Sequence, residues 1–240
     1  MVVTVLTPAY FPPLAAFAQA ACADQLIWAE SFRFTKQTCM HRMAIKTRAG
    51  RQWLTVPVLQ RTNPPQNVAE TLIDGHQPWQ KSHLRALHLN YHNAPYFYAY
   101  WDELEELLNR EWLRLGDLLL AGWQFCQSHL GINKPTHSAA DLQRVDNRTE
   151  RIVAWSRALQ ADRYLYRPEE AGLFDLHRLA NLGIEPREIK TTPETYPQLF
   201  GPFIECTVLD ALFNLGPESR RLMIAEAVAP LIDGQTNRKE

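Results

Sequence analysis

Apolar and polar positions change their spacing several times along the chain, and the first change is close to the N-terminus. Val2–Leu6 is a continuous apolar and β-branched run, which is typical of a strand buried on both faces. Residues 7–13 contain three prolines and predict a loop, whereas the alanine-rich run 14–23 predicts a helix. Leu26–Trp28 predicts a second buried strand. This order indicates a βαβ unit with a right-handed parallel crossover.

A hairpin and a long helical stretch follow. Met43–Lys46 and Trp53–Val58 predict the strands of a β-hairpin, with Gly50 in its turn. From about residue 77 to 131, leucines and tryptophans recur at helical spacing, which predicts a helical insertion. One buried face of this stretch is expected to carry Leu104, Leu108, Trp112 and Leu115.

The last hundred residues return to an α/β pattern. Asn147 and Glu150 fit a capping box that begins a helix reaching Leu159. The pattern as a whole predicts a single α/β domain over residues 1–240, built on a mixed sheet with the N-terminal βαβ unit at its centre. Further strands are predicted at Arg163–Tyr166 and Arg187–Lys190, and further helices at Val208–Phe213 and Pro217–Leu231.

Composition excludes several classes of protein. The 240 residues are 46% hydrophobic and carry a formal net charge of -1, which argues against general nucleic-acid binding. No apolar run approaches the roughly 18 residues of a transmembrane helix, and no basic segment precedes an apolar one at the N-terminus. We therefore expect a cytoplasmic protein without an integral membrane segment.

Motifs of several well-defined sites are absent from the sequence. The four cysteines form no CxxC pair and have no zinc-finger spacing, so we expect reduced thiols and no metal site. Walker A, GxGxxG and GxSxG sequences are also missing. The residues alone identify no cofactor.

The predicted loop after the first strand is a candidate ligand site, because ligands bind at the carboxyl ends of parallel strands. Tyr10 and Phe11 would give this loop flat apolar surfaces, although a stiff loop that closes the core is an equal alternative. His83 is a candidate general base, although a hydrogen-bonded structural histidine of the helix is the alternative, and Glu30 is a candidate proton acceptor. Four charged residues near the second strand could bind or activate a substrate, although each alone fits a solvated surface: Asp24, Glu30, Lys36 and Arg42.

Several short phrases resemble the WbqC-like family in their order and spacing. They begin with Pro-Ala-Tyr-Phe-Pro at 8–12 and Trp-Leu-Thr-Val-Pro at 53–57, and continue with Trp-Gln-Lys-Ser-His at 79–83. The resemblance continues through 148–151, 161–165 and 208–216, and so covers most of the chain. The chain departs from the family pattern at Thr7, Glu30, His41 and residues 166–170.

The resemblance implies a transferase for a small activated substrate, such as aminoacyl (glycyl) transfer to an amino sugar in polysaccharide (O-antigen) biosynthesis. A nucleotide sugar or an activated amino acid would be its small-molecule partner. Tyr10 and Phe11 would pack against the substrate, Lys36 and Arg42 would hold an anionic group, and His83 or Glu30 would remove a proton. We therefore expect one cleft to be lined by Tyr10, Glu30, Lys36, Arg42 and His83. The alternatives are a non-enzymatic binding or scaffold protein and a HIGH-type nucleotidyltransferase-like enzyme, whose characteristic histidines are absent from the first loop.

Overall fold

The computed structural model describes residues 1–59, 65–191, 195–223 and 225–228. The strands in these ranges are β1 (Val2–Leu6), β2 (Gln25–Trp28), β3 (Arg42–Thr47), β4 (Gly50–Thr55), β5 (Val58–Leu59), β6 (Leu72–Ile73), β7 (Thr136–Ser138), β8 (Arg163–Tyr166), β9 (Glu185–Thr191) and β10 (Ala225–Val228). The α-helices are α1 (Leu14–Cys22), α2 (Trp79–Tyr91), α3 (Phe97–Asn109), α4 (Leu115–His129), α5 (Arg148–Ala158), α6 (Leu176–Asn181) and α7 (Val208–Leu215). Short 3₁₀ helices occupy Ala139–Asp141, Pro168–Leu173 and Gly216–Met223.

The main sheet has the strand order β10-β9-β8-β1-β2-β7. Strands β9, β8, β1, β2 and β7 pair in parallel, and β10 is antiparallel to β9. Leu6 is in register with Trp28 of β2, and Thr4 with Leu165 of β8, which places β1 at the centre. The predicted α/β class, the mixed sheet and the N-terminal βαβ unit are therefore confirmed.

The order in which the chain adds strands to the sheet reverses beside β1. The chain moves outward from β1 through β2 to β7, then returns to β8 on the other side of β1 and continues to β9. Helix α1 packs on one face of the sheet with the β3–β4 hairpin and the long helices, while α5 and α6 pack on the opposite face. In open sheets of this kind, ligands bind beyond the carboxyl ends of the strands near such a reversal.

The predicted hairpin forms, but it stands apart from the main sheet. Strands β3 and β4 pair antiparallel from Arg42 with Thr55 to Thr47 with Gly50. Gly50 has a φ of 110°, a conformation that suits glycine at the turn. Val58, predicted to end the hairpin strand, instead belongs to β5 and pairs with Ile73 of β6.

Helices α2, α3 and α4 fill most of the stretch predicted to be helical. Leu104, Leu108 and Leu115 are fully buried, as expected. The four residues do not belong to one helix, because α3 ends before Trp112 and Leu115 begins α4, but Trp112 also packs against the core. Trp112 lies in the connection, where its indole Nε1 donates a hydrogen bond of 3.0 Å to the carbonyl oxygen of Leu107.

The C-terminal part differs more from the sequence-based prediction. The helix predicted over Pro217–Leu231 is wrong: a 3₁₀ helix ends at Met223, and Ala225–Val228 is strand β10, while residues 224 and 229–231 lie outside the described ranges. Pairing with the open edge of β9 satisfies the backbone groups of β10, so tertiary contact outweighs local helix propensity. The three-residue strand β7 was not predicted, since it has no apolar run.

Candidate functional site

A cavity of about 160 Å³ lies between the loop after β1, the β3–β4 hairpin and the loop before α7. We call it the hairpin cavity. It is lined by Tyr10, Phe11, Pro12, Pro13, Cys39, Arg42, Met43, Ala44, Arg51, Trp53, Glu205, Cys206 and Thr207.

The period of two in the hairpin decides which side chains face the cavity. Successive side chains of a strand point to opposite faces, and residues paired across two strands point to the same face. Ala44 pairs with Trp53 and Lys46 with Arg51, so one face combines these residues with Arg42. The opposite face is apolar and is buried in the core through Met43, Ile45 and Leu54.

Arg42 is held in place but is not fully paired. Its guanidinium carbon lies 4.4 Å from the ring centroid of Trp53, and its Nη2 donates a hydrogen bond to the carbonyl oxygen of Gln37. Its Nε is buried without a hydrogen-bond partner among the described residues. Trp53 is 42% exposed, so this cation–π pair also forms part of the open surface. An arginine with unused donors can bind a carboxylate or a phosphate.

A second arginine lies on the neighbouring strand. Arg51 Nη2 donates to the carbonyl oxygen of Glu205 at 2.9 Å, which ties the hairpin to the loop before α7. That loop is also fixed by the amide of Thr207, which donates to the carbonyl oxygen of Ala44 at 2.8 Å. Arg42 and Arg51 outnumber the single carboxylate, that of Glu205, in the described lining, so the cavity favours an anionic ligand.

The loop after β1 is fixed by neighbours distant in sequence. The amide of Tyr10 donates to the carbonyl oxygen of Cys39 at 2.8 Å, and Thr207 Oγ1 donates to that of Phe11 at 2.7 Å. Phe11 has a φ of 43°, an uncommon backbone conformation for a residue other than glycine. A Cβ placed on Gly122 of α4 would lie 3.3 Å from the Phe11 ring, so only a very small residue fits there. The loop is thus a preformed wall of the cavity.

Tyr10 connects the cavity to His83. The Tyr10 hydroxyl lies 3.0 Å from His83 Nδ1, and His83 Nε2 lies 3.2 Å from the carbonyl oxygen of Thr55. Because a carbonyl can only accept, Nε2 carries the proton, Nδ1 is the acceptor and Tyr10 is the donor. Burial lowers the pKa of His83 to about 4 and raises that of Tyr10. Both groups are therefore neutral at pH 7.

This arrangement gives His83 a position different from the one expected of a base in contact with substrate. Its ring is 3% exposed, both of its nitrogens are bonded, and it is not among the residues that line the cavity. His83 orients the Tyr10 hydroxyl from behind. Its predicted catalytic role stays a prediction.

The structure brings together some of the predicted site residues and separates others. Tyr10, Phe11 and Arg42 line the hairpin cavity. Lys36 is exposed in the connection between β2 and β3 and is not part of the lining. Asp24 lies at the amino end of β2, where its Oδ2 accepts a hydrogen bond of 2.8 Å from the amide of Val2, so it belongs to the opposite edge of the sheet.

Glu30 lies just beyond the carboxyl end of β2, outside the hairpin cavity. Its Oε1 accepts hydrogen bonds from Ser138 Oγ and, at 3.2 Å, from the amide of Ala140. Its Oε2 is buried and has no hydrogen-bond partner in the part of the chain that the structure describes. Of the five residues expected in one cleft, Tyr10 and Arg42 line the hairpin cavity, whereas Glu30, Lys36 and His83 do not.

Sequence reasoning missed Arg51, Cys206 and Thr207, and it gave Trp53 no role in the site. The signal for Arg51 and Trp53 was present, because strict pairing around Gly50 places both on the Arg42 face. The loop before α7 gives no such signal, since its place beside the hairpin depends on contacts across more than 150 residues.

Next to the cavity lies a buried polar cluster, which we call the Asp210 network. Asp210 is fully buried and accepts hydrogen bonds of 2.8 Å from the hydroxyls of Tyr91 and Tyr196 and of 2.7 Å from Gln198 Nε2. Lys46, 2% exposed, donates from Nζ to Gln198 Oε1 at 2.9 Å and to the carbonyl oxygens of residues 201 and 202. Burial raises the pKa of Asp210, and the hydroxyl and amide donors oppose that rise.

Two further features bear on the kind of site. Among the described residues there is no group of three or more histidine, cysteine, aspartate or glutamate side chains that could hold a metal ion. Within the same ranges, no helix is long and apolar enough to cross a membrane.

Comparisons with known proteins agree with the resemblance seen in the sequence. The profile of the WbqC-like protein family matches residues 7–222. The chain is also 31% identical over 220 residues to the uncharacterized protein Rv1507c of Mycobacterium tuberculosis, a match that spans 90% of this chain and 95% of that protein. No solved structure gives a significant match. The extent of the family match shows that this chain belongs to the WbqC-like protein family.

Proposed function

We propose that the protein is a cytoplasmic transferase that holds a small activated substrate by an anionic group in the hairpin cavity. The observation that carries this proposal is the incompletely paired Arg42, which lines the same cavity as Arg51 and stacks on the exposed Trp53. A buried N–H group without a partner costs about 1–3 kcal/mol, so an anion that completes its hydrogen bonds is favoured. The flat faces of Trp53 and Phe11 suit the apolar side of a sugar or an acyl group.

Family membership and the resemblance of the sequence support aminoacyl transfer, with glycine as the donor group and an amino sugar of an O-antigen polysaccharide as the acceptor. In that reaction the amine nitrogen forms a bond to the carbonyl carbon, the bond from that carbon to the activating group breaks, and the departing activating group takes up the proton that the amine loses. Tyr10 lines the cavity and its hydroxyl is held by His83, so the side chain forms a fixed wall against which the acceptor packs. Tyr10 thereby positions the acceptor.

A non-catalytic binding protein is the second candidate. The enclosure of His83, with both nitrogens engaged and a pKa lowered to about 4, favours it, because none of the described residues that line the hairpin cavity is a histidine. A binding protein would need the anion-binding arginines but no proton acceptor.

The test combines binding with turnover. Wild type, Arg42→Ala, Arg51→Ala and the control Arg85→Ala, which removes an exposed arginine on α2, would be titrated calorimetrically with nucleotide-linked amino sugars and with a non-hydrolysable glycyl adenylate. A charge-assisted hydrogen bond is worth roughly 1.5–3 kcal/mol, so we expect affinity to fall about tenfold to a hundredfold in the two cavity variants and to stay unchanged in the control.

Mass spectrometry of reaction mixtures with glycine, ATP and amino sugars would then detect a glycylated sugar. Product formed by wild type and lost in Arg42→Ala would support the transferase. Binding without product would favour the non-catalytic candidate, and equal affinity in wild type and Arg42→Ala would contradict the role of the cavity.

A further inference from the structure

A second group of cations lies at the carboxyl edge of the main sheet, outside the hairpin cavity. Arg148 and Arg151 are three residues apart in the first turns of α5 and therefore lie on one helix face. Their guanidinium carbons lie 5.5 and 5.3 Å from the ring centroid of Phe32, which follows β2. Trp155 stacks beside Phe32, with ring centroids 6.4 Å apart and an angle of 18° between the planes.

The charges of the two arginines are compensated only in part, by the nearby carboxylate of Asp146. Both side chains are partly buried, and within the described ranges neither forms a carboxylate ion pair. Burial and the charge of Arg148 together lower the pKa of Arg151, which shows the cost of holding two cations side by side. A partly buried pair of like charges is expensive unless an anion joins it.

An independent observation at the same edge also points to a ligand. Glu30, two residues before Phe32, has one oxygen fixed by Ser138 and Ala140 and the other buried without a partner. On the other side of β1, where the order of the strands reverses, Arg167 Nε and the fully buried hydroxyl of Tyr166 also lack partners among the described residues. Polar groups without a full set of hydrogen bonds therefore lie at or just beyond the carboxyl ends of β2 and β8, the two strands that flank β1.

The position of these groups in the fold suggests what they bind. In doubly wound sheets the carboxylate that follows the second strand accepts hydrogen bonds from ribose hydroxyls, and phosphates lie at a helix N-terminus at the same edge. Glu30 follows β2, and Arg148 and Arg151 lie in the first turns of α5. The sequence has no glycine-rich phosphate loop after β1, so here side-chain cations would take the place of backbone amides.

We propose that this edge is a second binding site, for a nucleoside phosphate, in which Arg148 and Arg151 hold the phosphate and Glu30 accepts a hydrogen bond from a ribose hydroxyl. Glu30 is only partly buried, and its Oε2, which has no partner among the described residues, is the oxygen that would accept the ribose hydroxyl. The proposal does not depend on the function of the hairpin cavity. If that cavity binds the acceptor of a transfer reaction, this site gives the nucleotide part of an activated donor its own place.

The experiment is a calorimetric titration of the full chain with ADP, UDP, ribose 5-phosphate and inorganic phosphate. We expect ADP or UDP to bind to wild type, and the affinity to fall at least tenfold in Arg148→Ala and Arg151→Ala. Glu30→Gln should lower the affinity for nucleoside diphosphates several-fold and leave the affinity for inorganic phosphate unchanged. Arg85→Ala is the charge-matched control, and thermal unfolding of each variant verifies that it is folded.

Four results would overturn the proposal. The first is that none of the four probes binds, and the second is equal affinity in wild type and the Arg148→Ala/Arg151→Ala double variant. The third is that inorganic phosphate binds as tightly as the nucleotides. The fourth is a loss of nucleotide affinity that occurs only in Arg42→Ala. The last result would place the nucleotide in the hairpin cavity. Failure here leaves the proposed transferase testable, because that test depends on Arg42 and Arg51.

Discussion

Arg42 and Lys46 are four residues apart on β3 and start from the same side of the hairpin, yet their surroundings are opposite. Lys46 is 2% exposed, and its ammonium group donates to Gln198 and to two backbone carbonyls. Arg42 is partly exposed, stacks on a partly exposed indole and retains an N–H group without a partner. The same strand therefore carries one fully bonded cation and one incompletely bonded cation.

The difference separates a structural charge from one available to a ligand. A buried charge is tolerated when hydrogen bonds satisfy it, and removing one of its partners then costs several kcal/mol. The Asp210 network fits that description, because its carboxylate receives three short hydrogen bonds from two tyrosines and a glutamine. The Arg42 region is incompletely satisfied and open, so its mutation should affect binding more than folding.

The largest effect is expected from Asp210→Ala. Removing this carboxylate leaves Tyr91, Tyr196 and Gln198 without their acceptor, and should lower the free energy of unfolding by about 3–5 kcal/mol. Urea denaturation followed by circular dichroism measures the change. Asp102→Ala, at an exposed position of α3, should change it by less than about 0.5 kcal/mol. An Asp210→Ala variant as stable as the control would remove the distinction between the two regions.

The second largest effect concerns His83, which should make the free energy of unfolding depend on pH. Its pKa is lowered to about 4 in the folded protein, whereas an unfolded histidine titrates near 6.5, so the unfolded chain binds more protons between these values. His83 therefore contributes roughly 3 kcal/mol to the free energy of unfolding above about pH 6.5, and this contribution is lost as the pH falls toward 4.

Urea denaturation of wild type and His83→Gln at pH 7 and pH 5 measures this contribution as the part of the pH dependence that the substitution removes. His177→Gln, at an exposed position of α6, is the matched control and should retain the wild-type dependence. An identical dependence in wild type and His83→Gln would mean that His83 is not enclosed in solution.

A sharper test of Arg42 keeps its charge. Arg42→Lys cannot form two parallel hydrogen bonds, so the affinity for an anionic ligand should fall about tenfold, while the free energy of unfolding changes by less than about 1 kcal/mol. Binding is measured by calorimetry and stability by urea denaturation. If the lysine variant binds as well as wild type, a simple positive charge is sufficient and the argument from arginine geometry is wrong.

The smallest effect is expected from Trp53→Ala. Loss of the cation–π contact with Arg42 should lower the free energy of unfolding by about 0.5–1 kcal/mol, because the indole is partly exposed. Trp53→Phe should recover part of that loss, since phenylalanine keeps a weaker π face. A loss of several kcal/mol in the alanine variant would instead make Trp53 part of the core.

The sequence predicted the elements whose signals are local. Val2–Leu6 and Arg163–Tyr166 have the bounds expected from their apolar runs, and Asn147 accepts the predicted capping bond from the amide of Glu150 at 3.1 Å. Strand β10 was missed because only the free edge of β9 makes it a strand.

The candidate site was predictable only in part. The proline-rich loop and Arg42 were found because they sit next to recognisable elements. The contact of Tyr10 with His83, 73 positions apart, fits the expectation that these two residues meet. The wall formed by residues 205–207 depends on the Asp210 network, whose members are spread from β3 to α7 and have no common pattern.

The alternating faces of the hairpin have a consequence for how this protein can diversify. Positions 42, 44, 51 and 53 lie on the cavity-facing side of the hairpin, whereas 45 and 54 are buried in the core, and Met43 belongs to the core face and also borders the cavity. Neighbouring codons therefore come under separate selection: one set must preserve volume and apolarity, while the other is free to follow a new ligand. A lineage could exchange the binding surface residue by residue without passing through an unfolded intermediate, and a library randomised at only the four cavity-facing positions should yield mostly folded proteins.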